Sequence, residues 1–494
     1  MGRVLFAHAH LLGFDRKQFA IGKPYPPLGT ITAAAHLRAL GHEVGLYDPM
    51  LDEDVGGFSA ALADFRPTLV AITDDVFNWF TKMCLGRMRE AALRMVAEAR
   101  AAGARVVVAG HDAADAPDVY LAGGADFVVR GEGELTLGEL AARLDGVSDV
   151  TPDVGDIPGL VFRQRGLPRR SAPRPLLKDL DQLPLPAWDL VDVARYRAFW
   201  RQRHGYFSLN VVTTRGCPYL CNWCAKPVYG NTYHTRSPEH VLAELRLLRA
   251  RYAPDHLWFC DDIFGLKSRW LVPFAERVAA EGLVTPFLCQ TRADLMTEEN
   301  VAALRRAGCA EAWLGVESGA QTVLDAMDKG ITVAQVRGAV SRLRAAGIRI
   351  GFFLQFGYPE EGWPEIGMTR RLVRELAPDD IGVSVSYPLP GTKFHARVQD
   401  RLGDKRNWRE SDDLDPLFPG RFSHGFYRTL SRTVHAEFRT RRGWRALRDL
   451  TRERAADADR LRRLRGLAEL PVWLAGQARL FPQAVGRQTR KVLR

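Results

Sequence analysis

Two stretches of the chain alternate short apolar runs with helix-like segments, and this alternation constrains the fold more than any other feature. In the first stretch the predicted strands are Val4–Ala7, Glu43–Tyr47, Leu69–Thr73, Arg105–Ala109 and Asp126–Arg130, and the predicted helices are Leu28–Leu40, Met83–Ala102 and Leu135–Leu144. Strands that are separated by helices run parallel in a sheet that is covered on both faces. The pattern predicts a doubly wound, Rossmann-like α/β domain that binds ligands at the carboxyl ends of its strands.

The second stretch repeats the alternation with six strands. They are predicted at Ser208–Thr214, His256–Cys260, Thr285–Cys289, Glu311–Val316, Arg349–Leu354 and Gly382–Ser386. Six β/α units predict a partial, TIM-like (β/α)6 barrel, which is shorter than a full TIM barrel and carries its site at the C-terminal face.

Proline content and charge divide the rest of the chain. Prolines recur between residues 150 and 195, which predicts a linker between a first domain over 1–149 and a barrel domain over 196–400. Residues 401–494 hold 23 of the 69 Lys and Arg residues but only 11 of the 58 Asp and Glu residues, so the net charge of +11 is a property of this C-terminal, Arg-rich helical region.

The lengths of the apolar runs and the number of cysteines indicate the cellular compartment. No apolar run approaches the roughly 20 residues that cross a bilayer, and the first residues lack a signal-peptide pattern. Seven cysteines, an odd number, argue against a disulfide framework. We expect a cytoplasmic protein, with peripheral contact at the inner membrane face left open.

Three of the cysteines form a C-x-x-x-C-x-x-C array directly after the first strand of the predicted barrel. Cys217, Cys221 and Cys224 place three soft thiolates on one short loop, which is typical of zinc or iron–sulfur sites. Structural zinc takes four protein ligands, and His234 or Cys260 would have to supply the fourth. A three-cysteine loop that leaves one iron of a [4Fe–4S] cluster open fits the pattern better.

The array, with Trp223 before its last cysteine, resembles the signature of the radical S-adenosylmethionine (SAM) enzymes. Segments 259–264, 315–319, 357–361 and 387–392 are similar to further motifs of one subfamily. The resemblance implies a [4Fe–4S] cluster whose open iron chelates SAM. The cofactor contacts that it implies are Trp223, Asp261, Asp262, Arg292, Glu317 and Ser318.

Simpler interpretations of these residues stay open. Asp261 and Asp262 would also suit the cap of the following helix, because Asp is a favoured cap residue. Arg292 would also pair with Asp294 alone. The remaining cysteines of the barrel, at positions 260, 289 and 309, are expected to be plain buried residues.

The first domain resembles the cobalamin-binding domain that precedes the barrel in cobalamin-dependent radical SAM enzymes. The resemblance rests on residues 26–29, 39–44 and 131–134. It implies cobalamin contacts after the third, fourth and fifth strands, at Thr73, Asp74, Gly110, His111, Gly131, Glu132, Gly133 and Glu134. The chain lacks the D-x-H-x-x-G motif that supplies a histidine to cobalt in other cobalamin proteins, and His111 and Asp112 follow Gly110 where the family usually has a second glycine.

Taken together, the resemblance implies an enzyme that cleaves SAM to a 5′-deoxyadenosyl radical. No catalytic residue is assigned beyond the cluster ligands. We expect methylation of an unactivated carbon in a small-molecule natural product or lipid, with electrons from a flavodoxin- or ferredoxin-type donor and no nucleic-acid partner. The alternatives are oxidative cyclisation or rearrangement without methyl transfer, and a non-catalytic, metal-stabilised binding protein.

The C-terminal region carries leucines at positions 461, 464, 467 and 470 among arginines. An apolar stripe of this kind either packs against the barrel while the arginines face water, or lies on an anionic membrane surface. The first interpretation is favoured.

Overall fold

A seven-stranded sheet organises the first third of the chain in the computed structural model, which describes residues 2–77, 85–145, 153–224, 228–450 and 462–492. The strand order is β2-β1-β3-β4-β5-β6-β7. Its first five strands are β1 (Arg3–Ala7), β2 (Glu43–Tyr47), β3 (Leu69–Thr73), β4 (Arg105–Ala109) and β5 (Phe127–Val129), and they pair in parallel. All five residues of β3 are buried, as expected for a strand that is covered on both faces. The doubly wound prediction is confirmed.

Helices connect these strands and cover the sheet. They are α1 (Arg16–Ile21), α2 (Leu28–Ala39), α3 (Phe58–Phe65), α4 (Gly86–Ala101), α5 (His111–Asp115), α6 (Pro117–Ala122) and α7 (Glu134–Leu144). The start of the helix predicted from Met83 lies outside the described residues.

The segment predicted as a linker is folded. Strands β6 (Leu160–Gln164) and β7 (Leu167–Arg170) form an antiparallel hairpin that extends the first sheet at β5. Arg165 and Gly166 both have positive φ, which two-residue hairpin turns require. Val161 and Phe162 are buried, and helix α8 (Val193–His204) follows. The prolines therefore mark turns and an edge strand rather than a flexible connection.

The second sheet has six parallel strands in the order β15-β14-β13-β12-β11-β8, as predicted for a partial barrel. Its strands are β8 (Ser208–Val211), β11 (His256–Phe259), β12 (Phe287–Thr291), β13 (Cys309–Glu317), β14 (Arg349–Phe356) and β15 (Asp380–Val385). The helices are α9 (Pro238–Tyr252), α10 (Ser268–Ala280), α11 (Glu298–Ala307), α12 (Gln321–Ala326), α13 (Val333–Ala345), α14 (Trp363–Leu376) and α15 (Lys393–Val398). A two-stranded ribbon, β9 (Thr214–Arg215) with β10 (His234–Thr235), flanks the cysteine loop.

One hydrophobic cluster spans the contact between the two α/β units, while the faces of the first sheet have two further clusters of their own. Tyr25, from the segment before α2, packs against Trp200 of α8 and Trp258 of β11, with ring centroids 5.2 and 4.8 Å apart. The Trp200 indole N–H donates to the Pro24 carbonyl at 2.7 Å. Buried aromatic contacts of this kind fix the position of one unit against the other.

The C-terminal region is helical, with α16 (His424–Leu450) packed beside β15 and α14, and α17 (Leu470–Val492) packed on α16. Leu467 lies against Gly443, so this leucine packs on helix α16 rather than on the barrel as favoured, while Leu461 lies outside the described residues. The buried carboxylate of Glu437 on α16 pairs with Arg370 of α14 at 2.6 Å. Within the described ranges, none of the helices has the length and hydropathy to cross a membrane.

Candidate functional site

The cysteine loop leaves the barrel at the carboxyl end of its first strand. Gly216 adopts φ +80°, and a Cβ there would lie 2.5 Å from the Thr232 carbonyl oxygen, so this turn needs glycine. Cys217, Cys221 and Cys224 follow it and are all partly exposed. The turn therefore delivers three accessible thiols to one face of the barrel.

Asn222 holds the loop in place between the cysteines. Its amide nitrogen donates to the Ala326 carbonyl at 2.8 Å, and its side-chain oxygen accepts from the Tyr358 hydroxyl at 2.9 Å. The Asn222 backbone N–H also bonds the Met327 carbonyl at 3.0 Å. The barrel thus fixes the loop from the segments that follow β13 and β14, a support that spacing alone did not reveal.

Cys260 does not supply the fourth ligand that a zinc site would need. Cys260 is buried, and its thiol donates to the Val211 carbonyl at 3.2 Å. Among the described residues, the only three side chains whose ligand atoms all lie within 4.8 Å of one another are Asp413, Asp415 and His424. The sulfurs of the cysteine loop are therefore spread more widely than that. A tetrahedral zinc site has sulfurs about 4 Å apart, given Zn–S bonds of about 2.3 Å. The donor set fits an iron–sulfur cluster better.

Cys289 and Cys309 are buried in the core, as expected.

Two cations approach the cysteine loop from the barrel. The Arg292 guanidinium lies 3.9 Å from the Cys221 sulfur and 3.5 Å from the centroid of the Tyr219 ring. It also pairs with Asp294 at 3.0 Å, so the Asp294 pair is present but is not the only contact of Arg292. Contact of Arg292 with SAM remains a prediction. Lys329 lies 5.9 Å from the centroid of the Trp223 ring. Burial lowers the pKa of Lys329, but the charges of Glu317 and Cys221 outweigh it and raise the pKa above its ordinary value.

Glu317 and Ser318 end β13 on the same face. Glu317 has φ +58° at a register shift of the strand, and its carboxylate accepts from the buried Lys329 ammonium at 2.7 Å. The Ser318 hydroxyl lies 3.0 Å from that of Thr369 and binds the Ala320 amide. A non-glycine residue with positive φ is uncommon and clusters at functional sites. A direct contact of Glu317 and Ser318 with SAM remains a prediction.

Asp261 bridges strand ends rather than capping a helix. Its Oδ1 accepts from the Thr213 amide and from the hydroxyls of Thr213 and Thr214, at 2.6 to 3.0 Å. The next helix starts only at Ser268 with Lys267 as its cap, so the capping interpretation is wrong for Asp261 and Asp262. Burial raises the pKa of Asp261 to about 6, although the threonine hydrogen bonds oppose it, and Oδ2 has no partner.

The predicted cobalamin contacts of the first domain also lie at strand ends. The Thr73 hydroxyl donates to that of Thr30 at 2.9 Å, and the Asp74 side chain packs directly on Gly110. Burial and the carboxylate of Asp112 raise the pKa of Asp74 to about 7. The sheet thus places the ends of β3 and β4 side by side, as expected for a ligand-binding edge.

His111 and Asp112 turn into the protein. Both are buried, and the Asp112 carboxylate accepts from Arg89 at 2.7 Å and from the Tyr120 hydroxyl at 2.6 Å. The His111 ring lies 3.5 Å from the Val76 carbonyl. The side chains that replace the family's second glycine are therefore accommodated inside the fold.

The loop after β5 is tied to the cysteine loop by a buried ion cluster. Arg215, two residues before Cys217, contacts Glu132 at 2.9 Å and Glu134 at 2.6 Å, and all three side chains are at most 7% exposed. Glu132 also accepts from the Leu177 amide. The carboxylates of Glu132 and Glu134 are thus committed to Arg215, whereas Gly131 and Gly133 flank them in the loop. Contact of this loop with cobalamin remains a prediction.

Glu361, which closes the 357–361 motif, is a second buried carboxyl with an unmatched oxygen. Its Oε2 accepts from the Gly357 amide at 2.6 Å, while Oε1 has no partner. Burial raises the pKa of Glu361 to about 8, with a further contribution from Glu365 against the opposing Gly357 bond. The carboxyl is therefore protonated in the folded protein near neutral pH.

Replacing Glu361 by Gln should make the free energy of unfolding less sensitive to pH. The carboxyl has a pKa near 4.5 in the unfolded chain and near 8 in the folded protein, so between these pH values the folded state binds more protons than the unfolded state. The free energy of unfolding of the wild type therefore falls as pH rises, by up to about 1.4 kcal/mol per pH unit. We expect E361Q to gain stability relative to wild type from pH 5 to 8 in thermal unfolding. E360Q, at an exposed neighbour, is the control, and parallel pH profiles of E361Q and wild type would contradict the assignment.

Comparison with known protein families identifies the class of protein in which these two strand-end sites occur together. The chain matches the radical SAM superfamily model over residues 211–373 and the B12 binding domain model over residues 19–141. The class is therefore a radical SAM enzyme with a B12-binding domain, whose cofactors are a [4Fe–4S] cluster, SAM and cobalamin.

Relatives and solved structures agree with this class. An uncharacterised methyltransferase of Pyrococcus horikoshii is 28% identical over 403 residues, which is 80% of this chain and 84% of the relative. An anaerobic magnesium-protoporphyrin IX monomethyl ester cyclase of Rubrivivax gelatinosus is 23% identical over 81% of this chain and 70% of the relative. The chain is therefore similar to proteins of this class along most of its length, in both its B12-binding and its radical SAM domain.

The fold is shared with two solved members of that class. OxsB, a cobalamin-dependent SAM radical enzyme, superposes with a TM-score of 0.72 at 16% identity, over 96% of this chain and 72% of OxsB. TsrM of Kitasatospora setae, a radical SAM methyltransferase, superposes with a TM-score of 0.66 at 21% identity, over 82% of this chain and 76% of TsrM. At these identities the likeness concerns the fold.

Proposed function

We propose that the enzyme methylates an unactivated carbon of a small molecule or lipid. The observation that carries the proposal is the pairing, through Arg215, of the cysteine loop with the ligand-binding edge of the B12 domain. Bound cofactors would supply radical formation from SAM and a methyl carrier. This chain's residues hold the two sites at one interface, which a transfer between them requires.

The residues of the barrel suit the polar end of SAM. Cys217, Cys221 and Cys224 would hold three irons and leave the fourth for the amino and carboxylate groups. Lys329 and Arg292 bring positive charge to the Cys221 side of the loop, where a carboxylate would bind. The unmatched Oδ2 of Asp261 suits an ammonium group at the end of the neighbouring strand.

The strand ends of the first domain suit a large, flat ligand. Thr73, Asp74, Gly110 and the 131–134 loop follow three adjacent parallel strands. His111 and Asp112 are buried at the start of α5, so the fold holds both side chains without a second glycine after Gly110. An external electron donor of the flavodoxin or ferredoxin type would reduce the cluster.

The proposal is tested with SAM that carries a deuterated methyl group. Anaerobically reconstituted protein is incubated with a low-potential reductant and with small-molecule and lipid extracts of the host, and products are resolved by mass spectrometry. We expect the label in an extract compound only when cobalamin is present. Consumption of SAM without label in any compound would contradict methylation.

Cyclisation is the second candidate. The cyclase of Rubrivivax gelatinosus matches across both domains, so the relatives span more than one reaction type. This reaction would yield deoxyadenosine and a dehydrogenated or ring-closed product without the label.

A further inference from the structure

Helix α17 has two apolar faces, and the fold uses only one of them. Leu480 and Ala484 are fully buried, and Gln477, one turn earlier, accepts from Arg370 at 3.3 Å. Trp473 lies on the same side under the Arg441 guanidinium, 5.2 Å from its ring centroid. The spacing of 473, 477, 480 and 484 is that of one helix face, so this face seats α17 on α16.

The neighbouring face of α17, about a quarter turn round the helix from the packed one, carries apolar side chains without cover. Leu474 is 57% exposed and Phe481, two turns later, is 61% exposed, with exposed Ala478 between them. Val472, at 48%, lies at the start of the same helix. Large apolar residues repeated along one exposed helix face are uncommon on a protein surface that meets only water.

The segment of sequence that contains this helix is strongly basic. Residues 462–494 contain eight Lys and Arg residues and one acidic residue, Glu469. Glu469 is itself paired with Arg439 at 3.2 Å. From residue 470 onward no acidic residue occurs, and Arg479 is exposed on the same helix.

We propose that the outer face of α17 lies on the surface of an anionic phospholipid bilayer. Leu474 and Phe481 would enter the boundary between headgroups and acyl chains, and the basic residues would attract the phosphates. The uniform positive charge favours an anionic surface over a second copy of this chain, because two such helices would repel each other. The inference concerns where the enzyme docks and is independent of the reaction proposed above.

The test is flotation of the full-length, cofactor-loaded protein with vesicles of phosphatidylcholine alone and of phosphatidylcholine with phosphatidylglycerol in equal parts. Binding should require phosphatidylglycerol and weaken as salt rises. The double variant L474S/F481S should bind these vesicles at least roughly tenfold more weakly, since it loses two apolar anchors. R479E should bind more weakly as well.

The matched control is F19S/L167S, which removes two apolar side chains that are 53% and 68% exposed elsewhere on the surface. It should bind like the wild type. Equal binding to both vesicle types, or full binding by L474S/F481S, would overturn the proposal. So would a concentration-dependent dimer in light scattering that L474S/F481S abolishes, or salt-sensitive binding to RNA that outcompetes the vesicles.

Discussion

Replacing Arg215 by Met should lower the free energy of unfolding by about 3–5 kcal/mol, because it leaves the buried carboxylates of Glu132 and Glu134 without their cation. Arg215 also lies over the ring of Tyr229, 5.4 Å from its centroid, so packing is lost as well. Thermal unfolding should shift down by about 5 °C or more.

The pH dependence of this loss separates charge from packing. Burial raises the pKa of Glu132, although Arg215 opposes it, so without Arg215 the Glu132 carboxyl will take up a proton more readily as pH falls. The deficit of R215M should therefore shrink toward pH 5, and R215M/E132Q/E134Q should recover much of the stability. The control is R38M, which breaks an exposed pair with Asp189 and should cost less than about 1 kcal/mol. An R215M deficit no larger than that of R38M would refute a structural role for the ion cluster.

Replacing Cys221 by Ala should abolish formation of 5′-deoxyadenosine. The loop would keep only two of its three thiols, and a cluster held by two cysteines from this chain would be lost or unable to present an open iron to SAM. The measurement is iron content and the cluster's visible absorption after anaerobic reconstitution, followed by product analysis. We expect both the absorption and the product to fall to background.

Cys289→Ala is the matched control, since Cys289 is equally a cysteine of the barrel but is fully buried in β12. It should retain the cluster and form deoxyadenosine, with only a modest loss of stability from the small cavity. Normal cluster content in C221A would show that Cys221 is not a ligand.

Most strands could be predicted because parallel strands buried on both faces are continuous apolar runs, as β3 and β4 are. The hairpin of β6 and β7 was missed because the prolines of this segment outweighed the turn signal of Arg165 and Gly166. Edge strands tolerate proline, since one side of the backbone needs no partner.

The functional site likewise has a part that the sequence predicts and a part that it does not. The cysteines follow from local spacing, whereas Arg215 meets Glu134 across 81 positions of sequence. Lys329 likewise reaches Glu317 only because β13 and the segment after it fold back on each other. The first pair depends on how the two units dock and the second on how the segment after β13 folds back, and no local pattern encodes either contact.

The most direct test of the account is the product pair formed from SAM. Anaerobically reconstituted protein is given SAM, a low-potential reductant and the methyl acceptor found by the labelling experiment, with and without hydroxocobalamin, and the products are resolved by mass spectrometry. The account predicts 5′-deoxyadenosine together with S-adenosylhomocysteine, the latter only with cobalamin. Deoxyadenosine alone under both conditions would contradict methyl transfer, and neither product from protein with an intact cluster would contradict radical SAM chemistry itself.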